Sequence, residues 1–299
     1  MNQITCKLPG GYVDKDGVVH RDCILSLLSG KEEELLAQRR KPASAFLVTT
    51  ILSRCVRSIG SISPISEEIA RNLLIADRQY LLLKLRQITF GEEVQATISC
   101  PWPDCGKRVD IDFLIGDIPV RESADKGHVF RMELSSEGVL IDKGEELREI
   151  VFRLPNGGDQ EAVSPLVYEN EAEALTMLLA RCIKGIGTCT EPGYELINKL
   201  SPLARMEIEK QMEEFAPNIE LTMDANCPEC GREFGVPFDI QDFFFGELRV
   251  SIDLLYREVH YLAYHYHWSE REIMEMPRDK RRRYIEVLAD EIERLNNAV

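Results

Sequence analysis

Ile51-Leu-Ser-Arg-Cys-Val-Arg-Ser-Ile-Gly60 returns, 127 residues later, as Leu178-Leu-Ala-Arg-Cys-Ile-Lys-Gly-Ile-Gly187, and every difference between the two is conservative or small. The same offset of 127 pairs Arg78 with Arg205, Glu93 with Glu220 and Cys100 with Cys227, so one ungapped alignment runs from residue 51 to residue 100. Past that point the offset becomes 125, because the first copy has two more residues between its cysteines. Cys105, Gly106, Phe113, Ile115 and Asp117 then meet Cys230, Gly231, Phe238, Ile240 and Asp242. A spacing kept over this length implies an internal duplication. Upstream, Leu8-Pro9-Gly10-Gly11 echoes Leu154-Pro155-Asn156-Gly157-Gly158 at a different offset, which implies insertions between the copies there. Two copies are too few for a solenoid, which needs about three to bury its faces, so a pair related by a pseudo-twofold axis is expected.

Each copy begins helical. Leu81, Leu85 and Ile88 fall at i, i+4 and i+7, as do Ile208, Met212 and Phe215, and Gly91 and Pro217 stop these helices. Period-two alternation follows, with Val94, Ala96 and Ile98 in one copy and Ile219, Leu221 and Met223 in the other. A second alternating run comes after each cysteine pair (Val109, Ile111, Phe113; Phe234, Val236, Phe238), so each pair is expected at the turn of a β-hairpin. Beyond Gly246 the repeat ends. Ile252, Leu255, Val259 and Leu262 predict a helix from Leu248 to His265. Ser269 with Glu272 makes a capping box, and Pro277 opens a last helix carrying Tyr284, Leu288, Ile292 and Leu295 on one stripe. The expected fold is α+β: a duplicated helices-plus-hairpin unit joined at a four-cysteine zinc site, with a C-terminal helical arm. Its boundaries are 1–118 for the first repeat, 119–149 for a connector with an extra strand or two, 150–245 for the second repeat and 246–299 for the arm.

The chemistry lies in Cys100-Pro-Trp-Pro-Asp-Cys105-Gly106 and Cys227-Pro-Glu-Cys230-Gly231. Thiolates this close together reach one ion from a tight turn; the proline pre-sets that turn, and the glycine permits a positive φ. One such knuckle supplies two ligands, whereas structural zinc takes four in a tetrahedron. Two related knuckles complete the set, so one structural zinc is expected on Cys100, Cys105, Cys227 and Cys230. The competing readings are free thiols left in turns, or a redox pair at Cys227 and Cys230. A redox pair of the thioredoxin type opens a helix, whereas alternating strand pattern flanks this one on both sides. Cys55 and Cys182 sit in equivalent apolar helical contexts and read as small core residues. Nine cysteines is an odd number, which argues against a disulfide framework.

Composition narrows the rest. A net charge of -15 disfavours a broad nucleic-acid footprint, and the one short basic cluster, Arg278 to Arg283, reads as the solvated face of a helix. No stretch approaches the roughly 18 apolar residues of a membrane span. The first residues, Met1 to Lys7, hold no apolar signal-peptide core, so a cytoplasmic protein is expected. His260, His265 and His267 cluster without a carboxylate partner in metalloprotease spacing, among Tyr261, Tyr264, Tyr266 and Trp268, which favours a contact surface over catalysis. Gly10-Gly11 and Gly157-Gly158 lack the Lys-Ser/Thr of a phosphate-binding loop. No catalytic residue and no organic cofactor is expected.

Three stretches carry a resemblance: Leu8-Pro-Gly-Gly-Tyr-Val-Asp-Lys-Asp-Gly-Val-Val-His-Arg21, Asp77-Arg-Gln-Tyr-Leu-Leu-Leu-Lys-Leu-Arg86 leading to Phe90-Gly91, and the first cysteine knuckle. They resemble the T4-type baseplate hub assembly family of contractile phage tails and phage-derived contractile injection systems. The run Leu255 to Ser269, with Met276-Pro277 and Arg281 to Tyr284, is similar to short helical proteins encoded beside baseplate genes in such systems. The resemblance implies a structural or chaperone-like assembly role, with baseplate, tail-tube or hub proteins as partners, and incorporation into a phage tail or injection particle. Interface aromatics place the expected partner surface on the arm, at Tyr256, Tyr261, Tyr264 and Trp268. The alternatives are a zinc-ribbon nucleic-acid adaptor using Arg278 to Arg283 and a metalloenzyme using His260 to His267.

Overall fold

Apolar alternation in Gln3–Val13 and Val19–Ser26 makes a hairpin, β1 and β2, whose core side is Leu8, Cys23 and Leu25. The computed structural model describes residues 3–37, 45–123, 127, 129–250 and 252–297, with backbone alone at 242 and 247–250. Met1 and Asn2 of the N-terminal reading lie outside these. Next come α1 (Gly30–Ala37), α2 (Ala45–Cys55), β3 (Val56–Ile59), α3 (Glu67–Asn72) and α4 (Ile75–Phe90), then the hairpin β4 (Glu93–Ser99) and β5 (Arg108–Leu114). The connecting stretch carries β6 (Val120–Arg121), β7 (Phe130–Glu133), β8 (Leu140–Asp142) and β9 (Glu145–Leu147), and leads into β10 (Glu149–Phe152). Then follow α5 (Gly157–Val167), α6 (Glu171–Cys182), β11 (Ile183–Ile186), β12 (Cys189–Thr190), α7 (Tyr194–Asn198), α8 (Pro202–Phe215), β13 (Asn218–Ile219), and the hairpin β14 (Thr222–Asn226) and β15 (Glu233–Pro237). Helices α9 (Ile240–Val250), α10 (Ile252–Tyr266), α11 (Glu270–Met274) and α12 (Arg278–Asn297) complete a fold of mixed helix and strand.

Strand pairing follows the sequence offset closely. In the sheet β1-β2-β3, Cys23 faces Ile59, Ile24 faces Ser58 and Leu25 faces Val56. In the sheet β12-β11-β10-β7, Ile150 faces Ile186, Val151 faces Gly185 and Phe152 faces Ile183, with the bulge at the equivalent step. Gly60 donates its N–H to Asp22 O at 2.7 Å, and Gly187 donates to Glu149 O at 2.7 Å. Their φ angles are +56° and +54°, where a Cβ would be strained. Helix starts correspond as well: Glu32 accepts from the amide of Ser29 ahead of α1, and Asp159 accepts from that of Asn156 ahead of α5. These contacts carry the offset of 127 back to residue 22. The echo between Leu8–Gly11 and Leu154–Gly158 is corrected accordingly, because Leu8 to Gly11 lie inside a strand while Asn156 caps a helix.

Matching arginines tie each helical layer together. Arg78 on α4 donates to Thr49 Oγ1 at 2.8 Å, and Arg205 on α8 donates to Thr176 Oγ1 at 2.5 Å. Arg78 is buried and also donates to the carbonyls of Ala70 and Ala45. Gly157 lies against its guanidinium, where a Cβ would come within 2.2 Å of Nη1. Beside it, Asp77 receives the amides of Gly10 at 2.8 Å and Gly11 at 3.0 Å, clasping the Leu-Pro-Gly-Gly bend of β1 to α4. Burial pushes the Asp77 carboxyl up to about 6 despite these two amides.

Two further details differ from the sequence reading. Ile219, Leu221 and Met223 do not share one strand: β13 pairs with β6 of the connector, Ile219 facing Val120, and the hairpin strand begins afresh at Thr222. The Arg278 to Arg283 run is not simply a solvated face, because Arg278 and Arg281 are buried.

Candidate metal centre

The two cysteine pairs stand at the tips of β4-β5 and β14-β15, as the flanking alternation requires. The first hairpin pairs from Glu93 with Leu114 to Ser99 with Arg108, and the second from Thr222 with Pro237 to Asn226 with Glu233. Gly106 and Gly231 adopt φ of +59° and +70°, the left-handed turn expected after each second cysteine. Ile98, Val109, Ile111 and Phe234 pack between the hairpins around Cys100 and Cys227, and Phe113 meets Phe238 edge-on at 5.3 Å lower down.

This packing brings all four thiols together, every sulfur within 4.8 Å of the others. Cys100 Sγ lies 3.8 Å from Cys230 Sγ, and Cys105 Sγ lies 3.7 Å from Cys227 Sγ. Disulfide sulfurs would be about 2 Å apart. A tetrahedron of sulfurs about 2.3 Å from a central zinc has edges of about 3.8 Å, so this donor set has the size and softness of a four-thiolate site. The backbone supports the charge such a site concentrates. The Trp102 amide points at Cys100, the Lys107 amide at Cys105 and the Arg232 amide at Cys230, each two residues after its sulfur. At Cys230 that amide leads in drawing the thiol down to about 7, the direction a metal ligand needs. At Cys100 burial dominates and pushes the thiol up to about 12.

A link that sequence reading missed crosses the outside of the site. Arg232, after the second knuckle, pairs with Asp104 inside the first and stacks 4.9 Å over the ring of Trp102. Its signal was legible only as an Arg after one cysteine pair and an Asp within the other, residues too common to stand out.

The remaining candidates are dispersed. Cys55 and Cys182 are buried in the helical layers. Among the described residues, no convergent group of metal-ligating side chains includes His260, His265 or His267. His260 lies against Tyr264, and His265 against Tyr261. Tyr266, Trp268 and Tyr284 pack on one another. Tyr264 is 69% exposed, while Tyr256 donates its hydroxyl to Glu34 of α1 at 2.7 Å. No helix among the described residues is long and apolar enough to cross a membrane.

Two family models match the chain. One, described as T4 bacteriophage base plate protein, matches residues 25–245, and a family of unknown function, DUF6760, matches residues 249–299. No curated protein and no solved structure matches. The first match covers the sheet β12-β11-β10-β7, both arginine-tied helical layers and all four cysteines, and the chain belongs to the T4 bacteriophage base plate protein family.

Proposed function

We propose, with membership of the base plate family as the premise, that the chain is a structural or assembly component of the base plate of a contractile phage tail or injection system. In this reading one structural zinc on Cys100, Cys105, Cys227 and Cys230 fastens its two halves, and the chain carries no catalytic site. The observation that carries the metal reading is the convergence of four thiols from hairpins more than a hundred residues apart, at sulfur spacings of 3.7 and 3.8 Å. Four soft donors without carboxylate or water-bearing positions suit a closed structural site rather than a catalytic one. Zinc fits the tetrathiolate best in a protein with no other redox apparatus in its sequence.

We also infer that the halves arose by duplication and are related by a pseudo-twofold rotation, with residues 51–118 matching 178–243. The equivalent ladders, bulges, glycine turns and Arg-Thr bonds support this. The units would be 1–118, a connector 119–149, 150–245 and an arm 246–299, with Tyr264 and its neighbours on the arm offering partner contacts. Against the nucleic-acid alternative stands the burial of Arg278 and Arg281, which removes two cations from the basic cluster at 278–283.

Two measurements test the proposal. Elemental analysis after anaerobic purification should give one zinc per chain; none, or two, defeats the shared site. Affinity capture from cells making the neighbouring tail proteins, with mass spectrometry of assembled particles, should return base plate components, and a chain that copurifies only with nucleic acid would reverse the assignment.

A further inference from the structure

The two family matches meet between residues 245 and 249, yet the segment beyond that junction is not free of the body. Its seat is α1. Arg281, fully buried at the start of α12, donates to Glu33 of α1 at 2.7 Å, to Glu258 of α10 at 3.1 Å and to the carbonyl of Met276 at 2.7 Å. Arg278 lies 3.9 Å from the other oxygen of Glu33 and 4.8 Å over the ring of Phe90. Gly30 opens α1 with Met274 so close that a Cβ would fall 2.9 Å from its sulfur, and Ser29 forms an isolated bridge with Pro277. Lys31 pairs with Glu275 at the rim, 2.8 Å apart.

This is the anatomy of an interface between chains: a buried centre holding a charged anchor, and a polar rim. The charges are complementary across the junction. Glu33 belongs to the region matched by the base plate family, and Arg278 and Arg281 to the region matched by the second family. Glu33 has no cation from its own side at that centre among the contacts described, so removing the helical segment strands it.

We propose that residues 249–299 form a docking unit whose seat is the α1 face around Glu33, and that this seat takes the same unit when it arrives as a separate chain. The partner is thus a short helical polypeptide presenting an Arg pair spaced as Arg278 and Arg281 behind a Met-Pro turn. This stands apart from the metal reading, since neither the seat nor the unit contains one of the four cysteines.

The test inserts a specific protease site after Gly246 of the full chain and cleaves the folded protein. Body and unit should stay associated through size exclusion at micromolar concentration, and a labelled 249–299 peptide should exchange into the cut complex. Arg281→Met should weaken the association at least about 100-fold, the penalty for stranding one partner of a buried pair. Separation of the wild-type fragments on cleavage overturns the proposal, as does association indifferent to Arg281→Met. If the cut body precipitates, hydrogen exchange on the intact chain decides. Arg281→Met should accelerate the amides of 252–297 while those of 93–99 keep their rates, and equal acceleration of both refutes a separable unit. Zinc content, followed alongside, reports separately on the metal reading.

Discussion

The first cysteine hairpin pairs seven residues on each strand and turns through a six-residue knuckle; the second pairs five and turns through four. The shortfall has a cause. Where the first hairpin begins its ladder at Glu93, the equivalent Glu220 donates its amide to Pro119 O of the connector at 2.9 Å, continuing the pairing of Asn218 and Ile219 with β6. The second hairpin is therefore tied at its base to the segment joining the halves, while the first rises from α4 after the Gly91 turn. Unequal hairpins still deliver four sulfurs to one point. Knuckle length sets how far a turn reaches, and strand length sets where it stands, so a longer knuckle on a longer ladder can meet a shorter one held from below. The same asymmetry runs through the helical layers, where Arg78 is buried with Asp77 beside it, and Arg205 is half-exposed with Ala204 in the equivalent place.

The comparison breaks most visibly if the knuckles are unequal as ligands. Cys105→Ser and Cys227→Ser should each take bound zinc from one per chain to near none and lower the melting temperature by similar, large amounts. Structural zinc is worth on the order of 10 kcal/mol in zinc-finger peptides. Cys189→Ser should leave both readings alone, and loss of metal from only one of the paired variants would end the four-thiolate account.

The two halves should also answer acid differently. Asp77 ionises in the folded chain near 6, above its unfolded value, so between about pH 6 and 4 the native state binds the extra proton and stability rises as pH falls. The gain is up to about 3 kcal/mol. At Asp159 burial pushes upward, but Arg153, the Asn156 amide and Arg181 outweigh it and hold the carboxyl below its usual range. Its contribution is present above about pH 4 and lost as pH falls further. Urea midpoints across this range, with zinc occupancy followed in parallel, should show the rising limb flatten in Asp77→Asn; an unchanged limb would mean another group carries it.

Arg78→Met should cost about 2–3 kcal/mol by removing the buried bonds to Thr49 and to the carbonyls of Ala45 and Ala70, and Arg205→Met about 1 kcal/mol, as judged from denaturation midpoints. Equal costs would erase the distinction between the layers. Gly157→Ala should cost about 1–2 kcal/mol because Arg78 is pinned and cannot withdraw, and Gly30→Ala a similar amount, since the Met274 thioether can swing away but the Met274 Cα and carbonyl oxygen, 3.1 and 3.2 Å from the added Cβ, cannot.

The cysteines and the offset were legible because identity survives at those positions, the four thiols that converge and the glycines of the left-handed turns. From residue 22 to residue 50 the correspondence was hidden, since Ser29 and Asn156, or Glu32 and Asp159, keep a capping role with different residues. Alternation alone placed Ile219 and Met223 on one strand; only the connector's competition for Ile219 divides them. The arm's helices were readable from their stripes, but the burial of Arg281 was not, because its acceptor Glu33 lies 248 positions away.

That distance between knuckles has a consequence for synthesis. Cys105 leaves the ribosome 125 residues before Cys230, a lag of about 6–25 s at 5–20 residues per second. For that interval a nascent chain would display half of the proposed tetrathiolate site, able to meet the half-site of a neighbouring nascent chain on the same message. The first hairpin, whose two strands are neighbours in sequence, can pair before the second is made, which would hold the waiting cysteines in one orientation and favour closure within the chain. Chains stalled between Cys105 and Cys227 should therefore take up about half a zinc each and associate in pairs, while released chains are monomeric with one.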